Sequence, residues 1–284
     1  MIEAHREDAQ AFWDAFAAGR EPNNDAAIAS LAVFGNCPIY DAYRDRAERA
    51  AVRSLIASPD HSWRVLDIGC GPGRWTVPFA KACNSVTAMD FSSPMLEHAR
   101  KYCEKAGVSG KVDFQNGRVE ELDVSKSGGP FDLVLAMGVL QYVSDDKLES
   151  VCARIASNVK SKGLLLNRET RSPKPVERHY TSSESPLAMR SYYRPFETYS
   201  GLFQKFGLSL QDRRSVLPPN LAYSCYAKTI GTQAKSSCSR GILRAIVCVH
   251  ETLIDPVWRL FPAIMWRANS RRATDMGIAL YRKL

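Results

Sequence analysis

The run Val65-Leu66-Asp67-Ile68-Gly69-Cys70-Gly71-Pro72-Gly73-Arg74 decides how this chain folds. A short apolar strand carrying one acid leads into a turn with glycine at every second position, and a helix starts on its far side. Glycine has no Cβ, so it tolerates positive φ and the close approach of another group. Three glycines in five residues after a strand therefore mark a strand-to-helix turn whose backbone passes close to a nucleotide-like ligand. Pro72 stiffens the loop by fixing its own φ. The spacing departs from the dinucleotide fingerprint G-x-G-x-x-G, because the third glycine comes one residue early and position 74 is Arg. No Lys-Ser/Thr pair follows the glycines, which excludes a P-loop.

Working outward, Ser85-Val86-Thr87-Ala88-Met89-Asp90-Phe91-Ser92 reads as a second strand ending in an acid. In doubly wound folds an acid at this place bonds the ribose hydroxyls. Asp90 is placed for that role; its alternative is an acid at the start of the helix that Ser92 and Ser93 open. Further strands are expected over 111–115, 131–136 and 163–168, with helices from 74, over 94–106 and near 145–159. This β-α-β alternation implies a doubly wound α/β fold with a parallel sheet and helices on both faces. Residues 1–61 read as a helical cap or lid. Phe12, Trp13 and Phe16 have helical spacing, a longer pattern runs from Tyr40 to Ile56, and a turn-rich stretch over 19–24 divides them. Downstream, Arg171 to Pro186 is rich in Ser, Pro and Thr and reads as a loop. A helix over 196–206 and strands near 208–215 and 221–229 follow, and the linker 231–237 ends a domain spanning 62–233.

The four segments Val65–Gly73, Val86–Ser92, Phe131–Val143 and Ser161–Thr170 together resemble the class I S-adenosylmethionine-dependent methyltransferases, in order and in spacing. The resemblance covers about residues 62–230. It implies a Rossmann-like, mostly parallel seven-stranded sheet whose last two strands form an antiparallel hairpin. It also implies S-adenosylmethionine as cofactor and a methyl-transfer reaction. On that reading Gly69, Cys70 and Gly71 approach the aminocarboxylate tail and the sulfonium, and Asp67 accepts from the ammonium. Val119 (by its N–H) and Glu120 (by its carboxylate) contact the adenine, Phe91 packs on the adenine face, and Met137 lines the methyl-transfer end. Arg118 is a departure, since many members carry an acid there. Glu120 reads equally well as a solvated surface acid, and Phe91 nearly as well as a core residue.

The acceptor side is less defined. Methyl transfer asks mainly for alignment and exclusion of water, and a hydroxyl acceptor also needs a base. His179, in the 171–186 insert, and Glu169, at the end of the fifth strand, are the base candidates, with ordinary surface placement the alternative for His179. Gln141, Tyr192, Tyr193 and Arg194 are candidate acceptor contacts, as is Tyr43 on the cap; core packing is the alternative for the tyrosines. His250 reads as a packed histidine.

The chain has 284 residues, 45% of them hydrophobic and 24% charged, the profile of a globular protein with a substantial core. Eight scattered cysteines form no C-x-x-C pair, so neither a metal site nor a redox motif is expected. Free thiols, a polar N-terminus and no long apolar run point to a cytoplasmic protein. The net charge of +8 is uneven: residues 234–284 hold nine Lys/Arg against three Asp/Glu. This segment reads as a helical, amphipathic C-terminal extension, apolar on one side from Leu243 to Met265 and broken at Pro256 and Pro262. It either packs on the body or a second subunit, or lies peripherally on an acidic membrane.

These features favour methylation of a small-molecule or saccharide-like acceptor, at oxygen. An amine or peptide N-methyltransferase is the runner-up. A nucleic-acid methyltransferase has only the basic tail in its favour, and a non-catalytic binding protein is disfavoured by the intact turn and Asp90.

Overall fold

The computed structural model describes residues 2–22, 27–28, 38–182, 185–216, 245, 248–249 and 275–284. The cap helices α1 (Ile2–Ala18) and α2 (Pro38–Leu55) come first, with residues 27–28 also helical between them. The body follows as β1 (Arg64–Ile68), α3 (Thr76–Ala82), β2 (Ser85–Asp90), α4 (Ser93–Lys105), β3 (Val112–Asn116), α5 (Val124–Ser127), β4 (Phe131–Met137), α6 (Asp145–Ser157) and β5 (Val159–Arg171). Then come β6 (Val176–Ser182), β7 (Ser185–Tyr193), α7 (Phe196–Lys205), β8 (Leu208–Ser215) and β9 (Asp275–Lys283).

Seven strands form one sheet in the order β3-β2-β1-β4-β5-β9-β8. Strands β1 to β5 are parallel, and β9 runs antiparallel to both of its neighbours. This is the expected doubly wound Rossmann-like α/β fold. Strand β4 lies at the centre, and Leu133, Val134, Leu135 and Ala136 are fully buried in succession. Both faces of the sheet are covered by helices, so a central parallel strand is apolar throughout instead of alternating. One face packs Leu148, Val151 and Ile155 of α6 with Tyr199 and Phe203 of α7. The other packs Val52 of α2, Val77 and Phe79 of α3 and Cys103 of α4. A smaller cluster joins Phe12, Trp13 and Phe16 of α1 to Met95 of α4 and Met189 of β7. The first cap helix is thereby seated over the edge of the sheet where the parallel strands end.

Two sequence expectations are corrected. The Ser/Pro/Thr-rich stretch after β5 is not a loop: it forms the antiparallel hairpin β6–β7, a separate two-stranded sheet. Met189, Ser191 and Tyr193 are buried while Arg190 and Tyr192 are half-buried, the alternation of a half-covered strand. What covers it is α1, a partner far away in sequence.

The second correction concerns the end of the chain. The antiparallel strand between β5 and β8 is Asp275–Lys283, not a strand near 221–229. The domain therefore does not close at 233, and the basic segment is not simply a C-terminal extension. Residues 217–274 form an insertion between the last two strands of the sheet. Arg171 pairs with Asp275 and Ser215 with Gly277, so the insertion leaves and returns at the edge where β5 ends. Ile278, Ala279, Leu280 and Tyr281 are all buried, as a strand between two others requires. The expected strand over 221–229, the linker and the amphipathic pattern from Leu243 to Met265 lie outside the described residues, apart from residues 245 and 248–249. Among the described residues, no helix is long and apolar enough to cross a membrane.

Candidate active site

The glycine turn sits where β1 ends, and its three glycines do different work. Gly69 (φ +63°) leaves room for Val139, whose Cγ2 would lie 2.6 Å from an added Cβ. Gly73 (φ +86°) lets the turn press on α4, whose Ala99 backbone would be 3.3 Å away. Gly71 (φ +54°) faces open space, with nothing within 4 Å of an added Cβ. Two of the glycines serve packing between elements, and the middle one keeps its space free for something else to fill.

Asp90, at the end of β2, holds this turn in place. Its Oδ2 accepts the Gly71 N–H at 2.8 Å and its Oδ1 accepts the Ser92 N–H at 2.9 Å. Burial pushes its carboxyl up to about 6, against the pull of these two amides. Asp67 accepts the Thr76 hydroxyl at 2.7 Å and is pushed up to about 7, by burial and by neighbouring Asp90, with the Thr76 bond opposing. Cys70 is buried in the turn, its thiol is held well above its ordinary value by burial, and its Sγ lies 3.6 Å from the Gly71 carbonyl.

Phe91 packs at the margin of the α1 cluster with the Arg118 guanidinium 5.6 Å from its ring centre. Its carbonyl accepts from Gln10 Nε2 of α1 at 3.0 Å, and Arg118 also bonds Gln10. Arg118 thus fastens the cap to the body. Val119 is buried and Glu120 half-buried in a short 3-10 turn. Met137 ends β4, half-buried.

The loop after β4 is braced by two charged side chains. Glu169 is 1% exposed; its Oε1 accepts from Leu140 N–H and its Oε2 from Gln141 N–H, at 3.0 and 3.1 Å, and Asn167 Nδ2 adds a third bond at 3.2 Å. Burial pushes Glu169 up to about 7. Arg194 bonds the carbonyls of Leu140 and Val143 at 3.0 and 2.6 Å and pairs with Asp145 at 2.7 Å. With their polar atoms engaged in this way, Glu169 and Arg194 position the loop. Tyr43 and Tyr193 are buried, whereas Tyr192 is half-buried beneath the Arg194 guanidinium. Gln141 is buried beside Gly138. His179 lies in β6 opposite Arg190, but its side chain, like that of Tyr40, falls outside the described residues.

One set of residues escaped the sequence reading. Glu48 of α2 is fully buried between Arg74, just past the glycine turn, and Arg168 of β5, each at 2.5 Å. Asp45 pairs with Arg74 at 2.6 Å and with Arg49 at 2.7 Å. Burial alone would raise the Glu48 carboxyl, yet the surrounding guanidinium groups hold it at about 2. The signal was present in Asp41, Asp45 and Glu48, spaced along one side of a helix, and in Arg74, which stands where the G-x-G-x-x-G spacing would put its third glycine.

The turn fits a nucleoside ligand on these observations: open space at Gly71, backbone at positive φ, and a carboxylate at the end of β2. Residues 65–163 match the family model of a methyltransferase domain. The chain carries a class I S-adenosylmethionine-dependent methyltransferase domain. Its family uses S-adenosylmethionine as methyl donor. A ubiquinone biosynthesis O-methyltransferase of Methylocella silvestris is 40% identical over 87 residues, 31% of this chain and 32% of that protein. Phosphoethanolamine N-methyltransferase 1 of Arabidopsis thaliana is 27% identical over 57% of this chain and 31% of that protein. Among solved structures, the methyltransferase domain resembles the DhpI–SAH complex, with a TM-score of 0.56 and 22% identity over 76% of this chain and 93% of the other. The chain spans about a third of the length of these two curated relatives.

Proposed function

We propose that the chain is an S-adenosylmethionine-dependent methyltransferase acting on a small-molecule acceptor, at oxygen. The open space at Gly71, kept by a positive φ and by the Asp90 bond, carries the donor half of this reading. When bound, S-adenosylmethionine supplies a methyl group already activated on a sulfonium. Asp67, Gly69, Cys70 and Gly71 would hold its tail, Asp90 the ribose, Phe91, Val119 and Glu120 the adenine, and Met137 would border the methyl. A carboxylate has about four lone-pair sites, so Asp90 retains capacity for ribose hydroxyls beyond its two backbone bonds.

The chain's own task is alignment and exclusion of water. The α1 helix and the β6–β7 hairpin wall the sheet edge, and the Glu48 ion pairs tie α2 to both the glycine turn and β5. A hydroxyl acceptor would take the methyl from the bound donor and give up its own proton, which a base on this chain would receive. His179 stands as the proposed base, since Glu169 is committed to the loop. The name of the Methylocella relative supports oxygen as the target. The Arabidopsis relative favours a second reading, methylation of an amine. The segment 217–274 connects β8 to β9, and we place it against the body or a second subunit, with contact to an acidic membrane as the competing role.

Isothermal titration with S-adenosylhomocysteine tests the donor half: micromolar binding by the wild type, lost in Gly71→Val, is expected. A screen with labelled S-adenosylmethionine across phenols, sugars and amines tests the acceptor half. His179→Ala should slow turnover and leave S-adenosylhomocysteine affinity unchanged.

A further inference from the structure

Gln141 lies in the loop after β4, next to the donor site, and is 8% exposed. Its backbone N–H is held by Glu169, yet its side-chain Oε1 is buried with no hydrogen-bond partner. Its Nε2 lies 3.9 Å from where a Cβ on Gly138 would stand, and Arg168 Nη1 lies 2.7 Å from the same point. Gly138 itself adopts φ +90°, a conformation that favours glycine. Arg168 repeats the pattern, because its Nε is also buried without a partner. One orphaned acceptor and one orphaned donor therefore belong to two side chains that both lie beside Gly138, at the end of β4.

A buried polar atom without a partner costs stability that a fold has no reason to retain. Such an atom beside a binding site calls for an explanation, and a functional partner is one of them. We propose that Gln141 is the acceptor-orienting residue: its carboxamide oxygen receives the hydrogen bond of the O–H or N–H group of the molecule to be methylated. The inference rests on the methyltransferase reading above and adds a named contact to it. A hydroxyl whose O–H donates a hydrogen bond to Gln141 keeps a lone pair free to face the methyl, and its proton leaves to the base only as the new bond forms. A carboxamide does not ionise, so this contact orients the acceptor without removing its proton. The acceptor class is accordingly one with a hydrogen-bond donor at the reacting atom, which excludes thioethers and tertiary amines.

The test compares wild type with Gln141→Met, which keeps the length and apolar bulk of the side chain and deletes the orphaned oxygen, and with Gln141→Glu. Thermal unfolding of the free protein should show Gln141→Met unchanged or raised by about 2–4 °C, as removal of an unpaired buried polar atom predicts. Titration with S-adenosylhomocysteine should give the same affinity within twofold. Methylation of whichever of phenol, glucose and ethanolamine the wild type turns over fastest should fall at least tenfold in kcat/KM in Gln141→Met and recover in part in Gln141→Glu. A lowered melting temperature for Gln141→Met would make the side chain structural, and a tenfold loss of S-adenosylhomocysteine affinity would assign it to the donor. Either result overturns the proposal. Failure of the wild type to bind S-adenosylhomocysteine would instead overturn the underlying methyltransferase reading.

Discussion

Glu169 and Arg194 grip one residue from its two ends: Glu169 Oε1 accepts the Leu140 N–H at 3.0 Å, and Arg194 Nη1 donates to the Leu140 carbonyl at 3.0 Å. An anion at the free N–H groups and a cation at the free carbonyls is the arrangement that suits a short helical turn. The turn Leu140–Tyr142 is too short to be stable by its own hydrogen bonds, so these two side chains set its position beside the donor site. At pH 8, above the value of about 7 to which burial raises its carboxyl, Glu169→Gln should lower stability by about 2 kcal/mol, the scale of a charge-assisted hydrogen bond. Hydrogen exchange at the Leu140 and Gln141 amides should accelerate, and unchanged protection there would remove Glu169 from this role.

Glu48 should be the most sensitive acid among the described residues. Replacing it with Gln leaves Arg168 buried without its counter-charge and Arg74 with Asp45 alone, which costs about 3–5 kcal/mol. The sign of its pH effect follows from a carboxyl held at about 2 when folded and near 4.5 when unfolded. Its stabilisation is complete above pH 4.5 and lost as pH falls toward 2. Melting curves from pH 6 to 2.5 should slope less steeply for Glu48→Gln than for the wild type.

Asp67 and Asp90 sit at about 7 and about 6 in the free protein, raised chiefly by burial. An ammonium at Asp67 and ribose hydroxyls donating to Asp90 favour their ionised forms. Affinity for S-adenosylhomocysteine should therefore rise between pH 5 and 8, by about tenfold per pH unit where one proton is displaced. Calorimetry at pH 6 in buffers of different ionisation heats should report proton release. A flat affinity profile would place the ammonium elsewhere.

Gly71 and Gly73 should separate binding from folding. Gly73→Ala drives a Cβ toward the Ala99 backbone at 3.3 Å and should lower the melting temperature. Gly71→Ala adds a methyl to open space, at the strain cost of positive φ, about 1–2 kcal/mol. It should reduce S-adenosylhomocysteine affinity far more than Gly73→Ala does, as titration of the two variants side by side would show.

Truncation near residue 234 should unfold the protein, because it removes β9, the strand that joins β5 to β8. Excising 220–272 with a short linker, while keeping β9, should leave a folded domain by circular dichroism. That variant is also the proper test of membrane contact: cosedimentation with anionic vesicles by the full chain but not by the excised form would favour the membrane role.

Much of this protein is determined by sequence alone. The run from Val65 to Arg74 and the acid at Asp90 specify a parallel α/β sheet and its donor turn, because glycine spacing and apolar strands act over a few residues and leave a local trace. The tertiary structure decided what depends on distant partners. The hairpin after β5 exists because α1 covers it, and Ser and Pro content concealed its alternation. The last strand could be assigned only by seeing which segment fits between β5 and β8, and the short apolar run at Ile278–Tyr281 was masked by the basic residues around it. The roles of Glu48, Glu169 and Arg194 were likewise set in three dimensions: a buried charge is defined by the opposite charge or backbone group it meets, and here those partners lie from 26 to 120 residues away in the chain.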